Sequence, residues 1–96
     1  MADITVIIPA YNARTTIGRA LQSLAAQTCS VGQVLVVDDA STDDTVEAAE
    51  QSAPHLALAV LPLAENGGPA TARQRGIDAT TSEFIGFLDA DDEWHP

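Results

Sequence analysis

Four short apolar runs, none of which alternates with polar residues, are the feature that most constrains the fold of this chain. They lie at Ile4–Ile8, Gln33–Val37, Leu56–Leu61 and Phe84–Leu88. A strand without polar alternation is buried on both faces, which is typical of the strands in a parallel sheet. The sequence therefore predicts four strands of one parallel sheet.

The three stretches between these runs predict helices, at Arg14–Gln27, from Ser41 to about Ser52, and at Pro69–Ala79. Asn12 or Thr15 is expected to cap the first helix. The second begins at the Ser-x-x-acid spacing of Ser41–Asp44, which is typical of a helix N-cap. The third begins at Pro69, a favoured residue for a first turn. The residues expected to face the core are Ile17, Leu21, Leu24, Ala25, Val46, Ala49, Ala72, Gly76 and Ile77.

The resulting order, β-α-β-α-β-α-β, predicts an α/β fold with a doubly wound parallel sheet and the strand order 3-2-1-4. The winding direction reverses between strands 1 and 4. Tyr11 follows strand 1, Asp38 and Asp39 end strand 2, and Asp89 and Asp91 follow strand 4. Because parallel strands present their carboxyl ends at one edge, we expect these polar groups to meet in one crevice.

The acidic stretch after strand 4 has two interpretations. If the backbone stays extended, Asp89 and Asp91 leave the same face of the chain. Paired carboxylates of this kind bind hard cations such as Mg²⁺, Mn²⁺ or Ca²⁺. The alternative is a solvated acidic loop, because an Asp-x-Asp motif is short and common.

The residues after strands 1 and 2 constrain the ligand. One acid of the Asp38–Asp39 pair is expected to cap the next helix, and the other to face the crevice. Strand 1 is not followed by the Gly-x-Gly-x-x-Gly pattern of dinucleotide sites, which disfavours NAD and FAD. Tyr11 either stacks on a flat ring or is a partly buried loop residue. Arg73 is a better candidate than Arg75 to point toward the crevice.

Composition limits the partners of this 96-residue chain. It has 14 acidic residues against 4 basic ones, a net charge of −10, which repels nucleic acid and anionic membranes. The single cysteine, Cys29, fits a reducing compartment. The first residues carry no basic stretch of the signal-peptide kind, so a cytoplasmic location is expected.

Four ordered motifs carry a resemblance to a known family: Val6–Asn12, Val36–Asp43, Asn66–Gly76 and Phe87–Asp92. In this order and spacing they closely resemble the nucleotide-sugar-binding half of family 2 glycosyltransferases, which have the GT-A fold. The resemblance covers essentially the whole chain. It implies that the nucleotide of a nucleoside-diphosphate sugar, usually UDP, is bound by Pro9, Tyr11, Asp39, Arg73 and Asp89. In that scheme Tyr11 and Asp39 meet the base, and Asp89 meets the ribose.

The same resemblance implies a metal and a reaction. Asp91 would bind the Mn²⁺ or Mg²⁺ that bridges the diphosphate, and the sugar would pass to an acceptor hydroxyl, usually with inversion. Residues 1–96 are expected to form a single domain that lacks the acceptor-binding half. The family's catalytic base is expected downstream, so no residue here is assigned that role. We therefore expect this chain alone to be inactive.

Two further expectations concern strand 4 and alternative functions. Strand 4 would be an unpaired edge, so the chain is expected to form a homodimer through it. A non-catalytic nucleotide- or metal-binding module is the main alternative to a transferase. A phosphatase of the haloacid dehalogenase type also has Asp-x-Asp after a strand, but Glu93 stands where that family has Thr or Val, and that family places the motif after its first strand.

Overall fold

The computed structural model describes residues 4–25, 32–52, 57–80 and 84–90. Strands and helices alternate along the chain in the predicted order: β1 (Ile4–Ala10), α1 (Ile17–Ala25), β2 (Gln33–Asp38), α2 (Thr45–Ser52), β3 (Leu58–Pro62), α3 (Pro69–Ala79) and β4 (Phe84–Phe87). All strand pairs are parallel and the sheet order is β3-β2-β1-β4. The predicted fold class and strand order are confirmed.

The sheet is covered on both faces, as a doubly wound fold requires. One core contains Val6, Ile8, Val34 and Val36 together with the buried residues of α1 and Ala49 of α2. The other core lies on the opposite face, where Ile7, Leu35 and Val37 contact Ala72 of α3. Consecutive residues of a strand point to opposite faces, which explains why β1 and β2 have no polar alternation.

β1 extends further than predicted, because the strand continues through Pro9 to Ala10. Proline has no backbone N–H to donate to a neighbouring strand. The pairing of β1 with β4 ends at Ile7, whereas the pairing with β2 continues from Pro9↔Val37 to Ala10↔Asp38. Pro9 therefore occupies a central strand at the point where one neighbour has already ended.

The predicted helix starts were wrong for the first two helices. α1 begins at Ile17, and the turn before it is held by the N–H groups of Thr16 and Ile17, which both donate to the carbonyl of Ala13. α2 begins at Thr45, whose N–H donates to a carboxylate oxygen of Asp43 at 3.0 Å. Ser41 does not cap α2, because its hydroxyl accepts the N–H of Asn12 instead.

Most residues predicted to face the core are buried, with three differences. Ala25 at the end of α1 is exposed and Val46 of α2 is only half-buried. Ile77 of α3 is also exposed. α3 meets the sheet through its small residues Ala72 and Gly76, so the large Ile77 side chain is turned outward. None of the described helices is long and apolar enough to cross a membrane.

Gly76 lies where α3 packs tightly against the sheet. A Cβ at this position would lie 2.7 Å from Cγ2 of Ile7 and 3.2 Å from Cγ2 of Val37. Both contacts are with branched side chains in a packed core, where little room exists to move. The absence of a side chain at Gly76 therefore sets the distance between α3 and the sheet.

Gly76→Ala is expected to lower the free energy of unfolding by about 1–3 kcal/mol, because it overpacks the core. This would occur although alanine favours a helix by about 1 kcal/mol over glycine. Gly18→Ala in α1 is the matched control, because its new Cβ meets only the side chain of Ser52, the last residue of α2, and no residue of the packed core. Urea unfolding of both variants measures the difference. Equal stabilisation by the two substitutions would contradict this account of α3.

Candidate functional site

A cleft of about 540 Å³ opens at the carboxyl edge of the sheet, within the range of about 300–1,000 Å³ usual for small-molecule sites. Its walls come from four segments that are far apart in sequence. These are the end of β1 with the loop after it, Asp39 after β2, the N-terminal half of α3, and the pair Asp89–Ala90 after β4. The cleft lies where β1 has β2 on one side and β4 on the other, which is the reversal point of the winding.

The structure places five of the six residues that the sequence singled out around this cleft: Pro9, Tyr11, Asp39, Arg73 and Asp89. The sixth, Asp91, lies outside the described residues. Pro9 lies near the end of β1 and Tyr11 follows directly after the strand. The Tyr11 side chain is 51% exposed, so an aromatic face is available to a ligand rather than committed to the core.

Asp39 is buried at the wall of the cleft, with 3% of its surface exposed. Its two carboxylate oxygens accept the N–H groups of Gly67 and Gly68, each at 2.9 Å. Its backbone carbonyl accepts the side-chain amide of Asn66 at 3.2 Å. Gly68 has a φ of 89°, a conformation that favours glycine. Asp39 thus joins the end of β2 to the turn that begins α3.

Asp38 has a different environment from its neighbour. It is buried but does not line the cleft, and its Oδ1 atom makes no hydrogen bond. The prediction that one acid of this pair caps the next helix was wrong, because Asp43 accepts the N–H at the start of α2. A helix cap can be taken over by any acid near the first turn, so sequence spacing alone does not select the residue.

Arg73 and Asp89 face each other across the cleft, where an Arg73 Nη2–Asp89 Oδ1 distance of 3.2 Å indicates an ion pair. Both side chains are partly exposed, so the pair contributes only about 0–1 kcal/mol to stability. Arg75 lies in a separate groove, beside the loop from Leu61 to Gly67. Of the two arginines on α3, the structure brings Arg73 to the cleft, as the sequence favoured.

The loop after β1 supplies cleft residues that the sequence reasoning missed, among them Thr15 and Thr16. They were assigned to the first helix, whereas α1 begins only at Ile17. Asn12 was considered as a helix cap, but its side-chain oxygen accepts the N–H of Thr42 at 2.8 Å. The sequence did contain a signal for a turn at this position. Asparagine tolerates the left-handed backbone conformation that Asn12 adopts, with a φ of 48°.

The described residues do not by themselves form a metal site. Among residues 4–25, 32–52, 57–80 and 84–90, no three acidic, histidine or cysteine side chains come together as a metal-binding group. Asp89 presents a carboxylate to the cleft, and one oxygen of that carboxylate accepts a hydrogen bond from Arg73. A hard cation prefers such oxygen ligands, so Asp89 fits the edge of a site whose predicted ligand, Asp91, is outside the described part.

Comparison with known proteins identifies the family. The sequence profile of glycosyl transferase family 2 matches residues 5–96, nearly the whole chain. This chain belongs to glycosyl transferase family 2. Among curated members of the family, an uncharacterized glycosyltransferase of Escherichia coli, YibD, is 38% identical over 93 residues, which cover 97% of this chain and 27% of YibD.

Solved structures of glycosyltransferases share the fold of this family 2 chain. Staphylococcus aureus TarS 1–349 in complex with UDP-GlcNAc has a TM-score of 0.87 and 38% identity, over 95% of this chain and 28% of that one. The mannosyltransferase PcManGT of Pyrobaculum calidifontis, in complex with GDP-Man and Mn²⁺, has a TM-score of 0.86 and 32% identity, over 100% and 31%. The predicted GT-A fold is confirmed.

Two consequences follow from family membership. The phosphatase alternative has no support, because the profile that matches nearly the whole chain is that of glycosyl transferase family 2. The chain also spans less than a third of the length of the relatives named above. The activity, substrates and partners of the whole protein are therefore matters for proposal.

Asp39→Asn is expected to lower the free energy of unfolding by about 1–3 kcal/mol, because a buried amide offers only one oxygen to the two N–H groups that Asp39 now accepts. The loss should be local first, so hydrogen exchange at the Gly67 and Gly68 amides should become faster. Asp44→Asn is the control, because Asp44 is exposed and pairs with Arg14 only at 3.5 Å. That variant should stay within about 0.5 kcal/mol of the parent. Unchanged protection of both glycine amides in Asp39→Asn would refute the proposed link.

Proposed function

We propose that this part of the protein binds a nucleoside-diphosphate sugar, preferably a UDP-sugar, for transfer of the sugar to an acceptor hydroxyl. The observation that carries the proposal is the gathering of Tyr11, Asp39, Arg73 and Asp89 around one cleft in a chain of glycosyl transferase family 2. These four side chains suit the parts of such a donor. The aromatic ring and the buried carboxylate suit a base, the guanidinium suits a diphosphate, and the second carboxylate suits a ribose.

The base is proposed to lie between Tyr11 and Asp39. The half-exposed Tyr11 ring offers a face for stacking, which is worth about 1–3 kcal/mol for a nucleic-acid base. Each carboxylate oxygen of Asp39 uses one lone pair on a glycine N–H and keeps a second acceptor position. Asp39 therefore can accept the N–H of a base while it still fastens the Gly67–Gly68 turn.

The charged groups of the donor are proposed to lie near Arg73 and Asp89. A chain with a net charge of −10 repels a diphosphate unless local positive charge offsets the field. Arg73 is the only basic residue among the described residues that line the cleft. In the structure it pairs with Asp89. On donor binding, Arg73 would turn to the phosphates and leave Asp89 to accept the ribose hydroxyls.

A divalent metal is part of the proposal, with Asp91 as its ligand. Bound there, Mn²⁺ or Mg²⁺ would offset the charge that grows on the departing nucleoside diphosphate. PcManGT, which resembles this chain, was solved with Mn²⁺ and GDP-Man, and TarS was solved with UDP-GlcNAc. These complexes support the donor class and leave uracil and guanine as bases to be compared directly.

The reaction is proposed to be a direct displacement at the anomeric carbon, with inversion. No described residue is assigned as the base that would take the acceptor proton, a role typically worth about 10²–10⁴-fold in rate. We therefore propose that residues 1–96 alone bind the donor in the cytoplasm without transferring sugar. The alternative is that this chain is a non-catalytic nucleotide- or metal-binding module. Incubation with Mn²⁺ and UDP-sugar, followed by assay for free UDP, separates binding from turnover.

Arg73→Ala is expected to weaken UDP binding by about 10- to 100-fold, because a charged hydrogen bond to phosphate is worth about 1.5–3 kcal/mol. Arg75→Ala is the matched control, since it removes the same charge from the same helix but outside the cleft. Calorimetric titration with UDP, GDP and CDP, with and without Mn²⁺, measures both variants. Equal losses in the two would show that net charge, and not the cleft, governs binding.

A further part of the proposal concerns the edge of β4. In the described residues β4 pairs only with β1, and Ile85 and Phe87 are 36% and 42% exposed. An open apolar edge invites another strand, so we propose that the 96-residue chain forms a homodimer there.

Ile85→Lys is expected to shift this chain from dimer to monomer, because a lysine on an edge strand disfavours pairing with another strand. Ile77→Lys is the control, since Ile77 on α3 is equally exposed. Light scattering at high concentration measures the mass of each. A monomeric parent protein would refute the proposed dimer.

A further inference from the structure

A set of hydrogen bonds ties the loop after β1 to the loop after β2, and we name it the loop clasp. It joins residues 12–14 to residues 41–45, which are about thirty positions away along the chain. Three consecutive backbone N–H groups of the first loop each donate to a side chain within residues 41–45, the last of which begins α2. Backbone N–H groups in a loop normally bond to water or to nearby residues, so this pattern fixes one loop on the other.

Asn12 is the residue of the clasp that bonds in both directions. Its backbone N–H donates to the Ser41 hydroxyl at 2.9 Å. Its side-chain oxygen accepts the N–H of Thr42 at 2.8 Å, with the Thr42 hydroxyl at 3.3 Å. Asn12 holds a φ of 48°, where asparagine is among the few non-glycine residues that fit.

Thr45 and Asp43 form the base of the clasp. The N–H of Ala13 donates to the hydroxyl oxygen of Thr45 at 2.9 Å, and Thr45 is fully buried. The Thr45 hydroxyl donates in turn to Asp43, which also accepts the N–H of Arg14 at 3.3 Å. The pKa of the Asp43 carboxyl is lowered from its usual value, chiefly by the hydrogen bond from the Thr45 hydroxyl. Asp43 is therefore ionised near neutral pH, as its role as acceptor requires.

Tyr11 lies between two fixed residues. On one side, Ala10 is the buried last residue of β1, and its carbonyl accepts the N–H of Asp39 at 2.8 Å. On the other side is Asn12, held by the clasp. About half of the Tyr11 surface is exposed, so packing covers only part of the ring and its direction also depends on the backbone at positions 10 and 12.

We propose that Asn12 is a positioning residue that, through the loop clasp, orients the Tyr11 ring over the cleft. The part of this inference that concerns ligand binding rests on the proposed function. The part that concerns the ring itself does not, and it is tested without ligand. The two can therefore fail separately.

The ligand-free test uses the fact that Tyr11 is the only tyrosine in the chain. With 3-fluorotyrosine incorporated, a single ¹⁹F signal reports on this ring. Asn12→Gly keeps the φ of 48° accessible and removes the side-chain acceptor, so the signal should shift and its width should change. Asn12→Asp retains an acceptor oxygen and should stay close to the parent protein. Asp44→Asn, which alters only the exposed pair with Arg14, should leave the signal unchanged.

The ligand test compares variants alone and combined. Asn12→Gly and Tyr11→Ala should each weaken UDP binding by about tenfold, the size expected when one base–aromatic stack is lost. In the Tyr11→Ala background, Asn12→Gly should have no further effect, because its action passes through the ring. Ser41→Ala, which removes the acceptor for the Asn12 N–H, is the second variant should Asn12→Gly fold poorly.

Two results would overturn the inference. One is a ¹⁹F signal that Asn12→Gly and Ser41→Ala both leave unchanged. The other is a tenfold loss by Asn12→Gly in the Tyr11→Ala background, which would mean that Asn12 acts without the ring. If the parent protein binds no nucleotide at all, the proposed function fails, and the ¹⁹F experiment still decides the role of Asn12.

Discussion

The buried carboxylate of Asp39, which accepts the two N–H groups of Gly67 and Gly68, is the interaction on which the cleft depends. A carboxylate that is almost fully buried would be costly without donors at both oxygens. The two glycine N–H groups satisfy it, and in return the turn before α3 is fixed to the end of β2. The start of α3 is thereby set relative to the sheet, and with it the position of Arg73.

The loop clasp provides the corresponding connection on the other side of the cleft. Both connections start in one short segment, residues 39–45, which follows β2. Residue 39 bonds to the turn before α3, and residues 41–45 bond to the loop after β1. The sheet brings the loops to the same edge, and this segment then fixes two of them. Two of the three acidic residues in this segment, Asp39 and Asp43, accept backbone N–H groups, and the hydroxyls of Ser41 and Thr45 accept two more.

The sequence predicted the sheet well, because buried strands leave long apolar runs and the β-α alternation permits few topologies. It also favoured Arg73 over Arg75, since residues two apart on a helix point in different directions. The sequence did not predict the contacts between loops that are distant along the chain. Ser41 and Asn12 both look like helix caps locally, and only the fold shows that they bond to each other. Ile77 was misplaced for a related reason, because the close approach of Gly76 to Ile7 turns α3.

The residues around the cleft show that the type of a side chain does not determine its role unless its position in the fold is also known. Asp38 and Asp39 are adjacent and chemically identical, yet they lie in different environments, since Asp38 is the last residue of β2 and Asp39 the first residue after it. Asp39 reaches the cleft wall, whereas Asp38 does not line it. Arg73 and Asp89 gain their proposed roles only because β4 lies beside β1, which places residues 16 positions apart within an ion-pair distance.

The most direct test of the central claim is an NMR titration of the ¹⁵N-labelled protein with UDP and Mg²⁺, with the shift of each backbone amide followed. The account predicts that the largest shifts occur together at Tyr11, Asp39, Arg73 and Asp89, at the carboxyl edge of the sheet. Shifts concentrated on β3 or on the outer face of α2, or no shifts at saturating UDP, would contradict it.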